Sequence, residues 1–180
     1  MQAGYCQAKP MWKYYGQQRP DFADEPGEDQ ESVWDYPRPP ALEVCNRLVE
    51  VRAAGVVVAS SRNSLRVLET ASPPTFYIPP AAIRMELLTP VGGSSYCEWK
   101  GAAQYWGLAA TPGSPAVGWS YPAPKPAFAA LGNWLCFYPG RIECYVDSER
   151  VRPQEGGFYG GWVTNNIVGP WKGAAGTGGW

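Results

Sequence analysis

The chain has 180 residues, 45% of them hydrophobic, enough for one ordinary domain with a real core plus short extensions and not for two full domains. A net charge of −1 and the complete lack of histidine remove the usual general base, the commonest metal ligand and any Ser-His-Asp or Cys-His mechanism. Nineteen prolines and twenty-one glycines cut the apolar runs too short for a helical bundle, so the expectation is a β-rich fold with one or two short helices.

Residues 1–40 read as an extension. The first 32 mix Tyr, Gln, Pro and acids without periodicity, which predicts loop or partial disorder. Seven carboxylates, from Asp21 to Asp35, are concentrated before residue 36. From Ala41 onward, eleven Lys and Arg face nine Asp and Glu, an excess too small to bind nucleic acid by phosphate neutralisation. In Glu31-Ser32-Val33-Trp34-Asp35-Tyr36-Pro37-Arg38-Pro39-Pro40 the prolines fix an extended path, and the two aromatics offer large area to bury. That stretch is expected to lie as a strap across the domain rather than serve as a free ligand for another protein's groove.

Residues 41–150 form the expected core. Val44–Val51 and Val56–Ala59 predict a β-hairpin turning at Ala53-Ala54-Gly55. Ser64–Glu69 alternates apolar with charged residues, placing Leu65, Val67 and Glu69 on one face and Ser64, Arg66 and Leu68 on the other. After a turn at Pro73-Pro74, Thr75–Ile78 predicts another strand, and Pro79-Pro80 suits a single helical turn leading to Arg84 and Glu86. Gln104–Ala109 and Val117–Tyr121 read as strands, and Ala127–Leu131 as a helix of about two turns between Pro126 and Gly132. Trp134–Tyr138 and Ile142–Val146 flank Pro139-Gly140 as a hairpin, which would set Cys136 across from Cys144.

The five cysteines, at 6, 45, 97, 136 and 144, lack C-x-x-C spacing and are odd in number, so reduced thiols are expected, with no metal site. The start of the chain lacks a basic and apolar leader pattern, and no run approaches about eighteen apolar residues. A soluble cytoplasmic protein without a membrane partner follows as the expectation. Residues 151–180 are rich in glycine yet carry Phe158, Tyr159, Trp162, Trp171 and Trp180, too apolar for a free linker. This tail should pack on the domain or on a second copy of it as a homodimer. Gly176-Thr177-Gly178-Gly179 lacks the order of a phosphate-binding loop.

Reactive groups are densest in Ser94–Tyr105, where Cys97, Glu98 and Lys100 are followed by Gly101. Cys97 is a nucleophilic or redox-active thiolate favoured by Lys100, or else a small buried hydrophobe; regular alternation would point Cys97 and Lys100 apart unless Gly101 breaks the strand. Glu69 is the candidate proton acceptor. Arg66, Arg84 and Glu86 either line a pocket with it, gripping a carboxylate or phosphate, or form ion pairs between strands. Tyr105, Trp119 and Tyr121 are candidate ligand-binding aromatics, with core packing as the alternative.

Taken together, Leu65-Arg66-Val67-Leu68-Glu69, Tyr77-Ile78-Pro79, Arg84-Met85, Tyr96–Ala102, Tyr105, Trp119-Ser120-Tyr121-Pro122 and Phe137-Tyr138 resemble the bacterial family known as domain of unknown function 427. The resemblance runs from about Leu42 to Val146, and the strap and the aromatic tail resemble extensions seen in members. It implies coiled sheets of the β-tent type, similar to methionine sulfoxide reductase B, and carries a nucleotidyltransferase-like label. No paired metal-binding aspartates or phosphate clamp accompany that label here. Where β-tent relatives hold zinc through paired C-x-x-C motifs, this chain has Cys97-x-x-Lys100.

Three functions stay open: a site for a small polar or anionic ligand, such as a nucleotide, with Cys97, Lys100 and Glu69 as its chemistry; a non-catalytic docking or self-association module; and a thiol-redox protein using Cys97. The sequence names no cofactor.

Overall fold

The computed structural model describes residues 12–180. Cys6 lies outside them. The chain is mainly β, built from short strands in several open sheets, with three short 3₁₀ segments among the described residues.

Two four-stranded sheets enclose the largest core. One joins Leu88–Val91, Gln104–Leu108, Gly118–Ser120 and Leu135–Phe137; the other joins Val49–Ala53, Val56–Ser61, Glu143–Val146 and Glu149–Arg150. Val49, Val51, Val58, Phe137, Cys144 and Val146 meet between them, together with Trp162 of the tail. The expected hairpin exists as Val49–Ala53 against Val56–Ser61. Its two turn residues, Ala54 and Gly55, have φ of 48° and 79°, the left-handed pair that matches the twist of a tight hairpin. The preceding run splits, however: Ala41–Cys45 is a separate strand that pairs with Ser64–Glu69.

Ala41–Cys45, Ser64–Glu69 and Ser72–Tyr77 make a third sheet. Pro73 and Pro74 lie inside its last strand rather than in a turn. That strand is at the sheet edge, where a missing N–H costs little, and the turn falls at Thr70-Ala71, with Ala71 at φ 63°. A bulge between Val67 and Glu69 bends the central strand.

The expected hairpin across Pro139-Gly140 does not form. Leu135–Phe137 pairs with Gly118–Ser120, and Glu143–Val146 pairs with Val49–Ala53. Cys136 is in register with Trp119 and Cys144 with Val51, so the two thiols do not face each other across a ladder. The turn itself is real, with Arg141 and Ile142 donating to the Tyr138 carbonyl, but both flanking strands are needed in different sheets to cover the core. Cys45, Cys97, Cys136 and Cys144 are free thiols. The helix expected at Ala127–Leu131 is a 3₁₀ segment, Pro126–Leu131, broken at Phe128. Phe128 and Leu131, three apart, share one side at this tighter pitch and both enter the second core with Tyr77, Trp119 and Tyr121.

Both extensions fold back on their own chain. In the strap, Val33, Trp34 and Tyr36 are buried with Leu68, Ala71 and Ile167. Glu31–Ser32 pairs in parallel with Ile167–Val168. Trp180 closes over Trp34 and Phe22, at ring-centroid distances of 5.3 and 5.0 Å. No described helix is long and apolar enough to cross a membrane.

Candidate functional site

One cleft, about 540 Å³ in volume, opens over the second core. Its floor begins with the strand Ser64–Glu69, whose alternation turns Val67 and Glu69 toward it. The same alternation turns Arg66 the other way. There Arg66 bonds Glu43 of the neighbouring strand at 3.1 and 2.5 Å, and Glu31 of the strap at 2.9 and 3.1 Å. Burial works against that charge, but the bonds to Glu31 and Glu43 outweigh it and hold the guanidinium more firmly protonated than usual. Arg84 and Glu86 pair with each other at 2.9 Å on an exposed turn. None of Arg66, Arg84 and Glu86 lines the cleft.

The remaining candidates do. Tyr96–Cys97 and Gly101–Ala102 form a hairpin of two residues per strand, and Gly101 sits at φ 105°, a conformation that disfavours any side chain. Regular alternation therefore ends at Cys97, and both Cys97 and Lys100 reach the cleft. The Lys125 amide donates to the Lys100 carbonyl at 3.1 Å, and the Lys125 ammonium to the Glu98 carbonyl at 2.6 Å, which ties this loop to the following one. Tyr105 lines the wall and donates to Ser95 Oγ at 2.8 Å.

Tyr77, Trp119, Tyr121 and Tyr138 form the aromatic floor. Trp119 Nε1 donates to the Tyr77 hydroxyl at 3.0 Å, and the rings of Trp119 and Tyr138 lie 4.4 Å apart. Burial pushes the phenols of Tyr77, Tyr121 and Tyr138 well above their ordinary range, so this surface stays neutral.

Sequence reasoning missed the part of the site supplied by the extensions. Lys172, only 3% exposed, lines the cleft with its Nζ 3.7 Å from the centroid of the Trp12 ring and 5.8 Å from that of Tyr159. Trp12 is held by a 2.7 Å bond from its Nε1 to Glu98, and the Arg38 guanidinium lies 4.5 Å from its centroid. Arg38, buried, donates to Glu69 at 3.2 Å and to the carbonyls of Tyr14 and Thr70. In the tail, Gly160 lies against the Trp119 indole so closely that a Cβ there would overlap the outer ring edge. Gln154 accepts from the Gly161 amide at 3.0 Å and donates to the Lys172 carbonyl at 2.7 Å. The one legible signal was the pair Gly160-Gly161 beside aromatics, which marks close backbone approach.

The two ammonium groups differ from the other charges here. Glu69 is engaged by Arg38, Glu98 accepts from Trp12, and Arg141 donates to the carbonyls of Ala116 and Gly157. Lys100, 9% exposed, has the Tyr121 ring at 5.9 Å. Among the described residues neither Lys100 nor Lys172 makes a salt bridge. Burial pulls the Lys172 ammonium down to about 8; Glu69 and Glu98 oppose this and Arg38 adds to it.

A family model described as domain of unknown function (DUF427) matches residues 41–148. No curated protein matches the chain.

Proposed function

We propose, from the premise that this chain belongs to the domain of unknown function 427 family, that its cleft binds a small anionic molecule carrying a flat ring. One observation carries the reading: Lys100 and Lys172 are buried cations on the cleft wall without an ion pair among the described residues. A buried charge without a partner is costly, and aromatic faces offset only part of that cost. An anion in the cleft would relieve both lysines, while the neutral floor of Trp119, Tyr121 and Tyr138 would receive a ring without repelling its charge. Aromatic carboxylates and nucleoside monophosphates both satisfy these demands, and the nucleotide is the member of that class to which the family's nucleotidyltransferase-like label would correspond.

The competing reading, a docking module that uses the strap and tail, needs their aromatic side chains on the surface. Trp34, Tyr36 and Trp162 are instead buried in this chain's own cores. Tyr96 and Phe158, each 70% exposed, stand on the cleft wall and suit a mouth through which a ligand enters.

The test is thermal unfolding against a panel of nucleoside monophosphates, their uncharged nucleosides and aromatic carboxylates. The expected result is a saturable rise in Tm for anionic members alone, lost in Lys100→Gln and in Lys172→Gln. Equal shifts from the uncharged nucleosides, or none from any anion, would overturn the reading.

A further inference from the structure

Anion binding draws on the charge of Lys172 but not on the lone pair of its neutral amine. We propose that Lys172 is an imine-forming amine, and that the ligand class of this site is an anionic aldehyde or ketone; the inference rests on the anion-binding reading above and extends it to a covalent step. The geometry favours this lysine. Its backbone is fixed at both ends, the amide donating to the Ala71 carbonyl at 2.9 Å and the carbonyl accepting from Gln154, so the side chain projects from a rigid point. Its amine end lies over the Trp12 ring, within the cleft wall and beyond salt-bridge distance of every described carboxylate. Glu69 and Glu98 line the same cleft and can relay protons.

The step balances without a redox partner. The lone pair of neutral Nζ attacks the carbonyl carbon, and a proton passes from nitrogen to oxygen to give a carbinolamine. A second proton transfer releases that oxygen as water and leaves the C=N bond. A neutral amine is required, and burial already brings Lys172 down to about 8, against the attraction of Glu69 and Glu98 and with the help of Arg38. Capture therefore accelerates as pH rises through 8.

The experiment uses the full chain with glyoxylate and, separately, 4-carboxybenzaldehyde at pH 8. Sodium borohydride reduction fixes any imine, and peptide mass mapping locates it among Lys9, Lys13, Lys100, Lys125 and Lys172. The expected result is an adduct at Lys172 exceeding that at every other lysine by about tenfold or more, with 4-methylbenzoate, which lacks an aldehyde or ketone, suppressing it. Lys172→Arg should lose the adduct. No adduct at Lys172 with either aldehyde, or an even spread over the lysines, overturns the proposal. If 4-methylbenzoate still raises Tm in that case, anion binding stands and only the covalent step fails. An adduct at Lys172 that 4-methylbenzoate does not suppress upholds the amine and refutes the anion site.

Discussion

Replacing Arg66 with methionine separates a structural charge from a binding one. The Arg66 side chain is 10% exposed, whereas its partners Glu31 and Glu43 are 35% and 49% exposed. Breaking a fully buried pair costs about 3–5 kcal/mol, because the remaining charge is stranded. Here the stranded carboxylates can rehydrate, and Glu31 keeps the 2.8 Å bond from the Tyr36 hydroxyl. Methionine also preserves most of the buried stem. The expected loss is therefore about 2 kcal/mol, toward the lower end between exposed and buried pairs. In a domain of this size that corresponds to a Tm lower by about 4–8 °C. Urea unfolding should show a reduced midpoint at unchanged m-value, with no change in the ligand-dependent Tm rise. If Arg66→Met instead kept full stability and abolished that rise, the guanidinium would belong to the binding site and the orientation of this strand would be misassigned.

Among the four described cysteines, iodoacetamide at pH 7 should alkylate Cys97 first: Cys45, Cys136 and Cys144 are buried, and burial holds the Cys136 and Cys144 thiols protonated. A bound anion should slow that labelling, and equal rates at Cys97 and Cys45 would contradict the cleft geometry. Gly160→Ala should cost about 1–3 kcal/mol in urea unfolding, since its methyl must displace Trp119 or the tail; a neutral result would mean that the tail does not rest on that ring. For Lys172, the unfolded state holds its proton up to an ordinary 10.5, while the folded state releases it near 8. The penalty of burying the charge is thus complete below pH 8 and fades as pH rises toward 10.5, so stability increases across that window. Lys172→Met should remove this increase, and an unchanged pH profile would contradict the burial of the ammonium.

Much of the fold could be read from alternation and turn chemistry, because each acts within a few residues. Ala54-Gly55 marked its hairpin, and Ser64–Glu69 announced which side chains share a face. That pattern already placed Arg66 opposite Glu69, so their convergence on one pocket conflicted with the period of the strand. What the sequence hid was non-local. Nothing near Pro139-Gly140 indicates that its two strands leave for different sheets, since that choice is made by Trp119 and Val51, their distant partners in register. Prolines 73 and 74 resembled a turn because edge position is a property of the sheet and not of the residues. The site was half legible: Cys97, Lys100, Glu69, Tyr105, Trp119 and Tyr121 meet at the cleft. Trp12 and Lys172 were not found, nor was Arg38 behind them, because they come to the cleft and its border only once both extensions wrap back.

Anion binding by the two buried lysines can be tested directly with a small inorganic anion. Crystals soaked in sodium bromide and measured at the bromine absorption edge would locate bound anions directly. An anomalous peak is expected inside the cleft beside Lys100 or Lys172, absent in the Lys100→Gln, Lys172→Gln double variant. Bromide confined to exposed arginines, with the cleft free of it, would mean that the two lysines do not form an anion site.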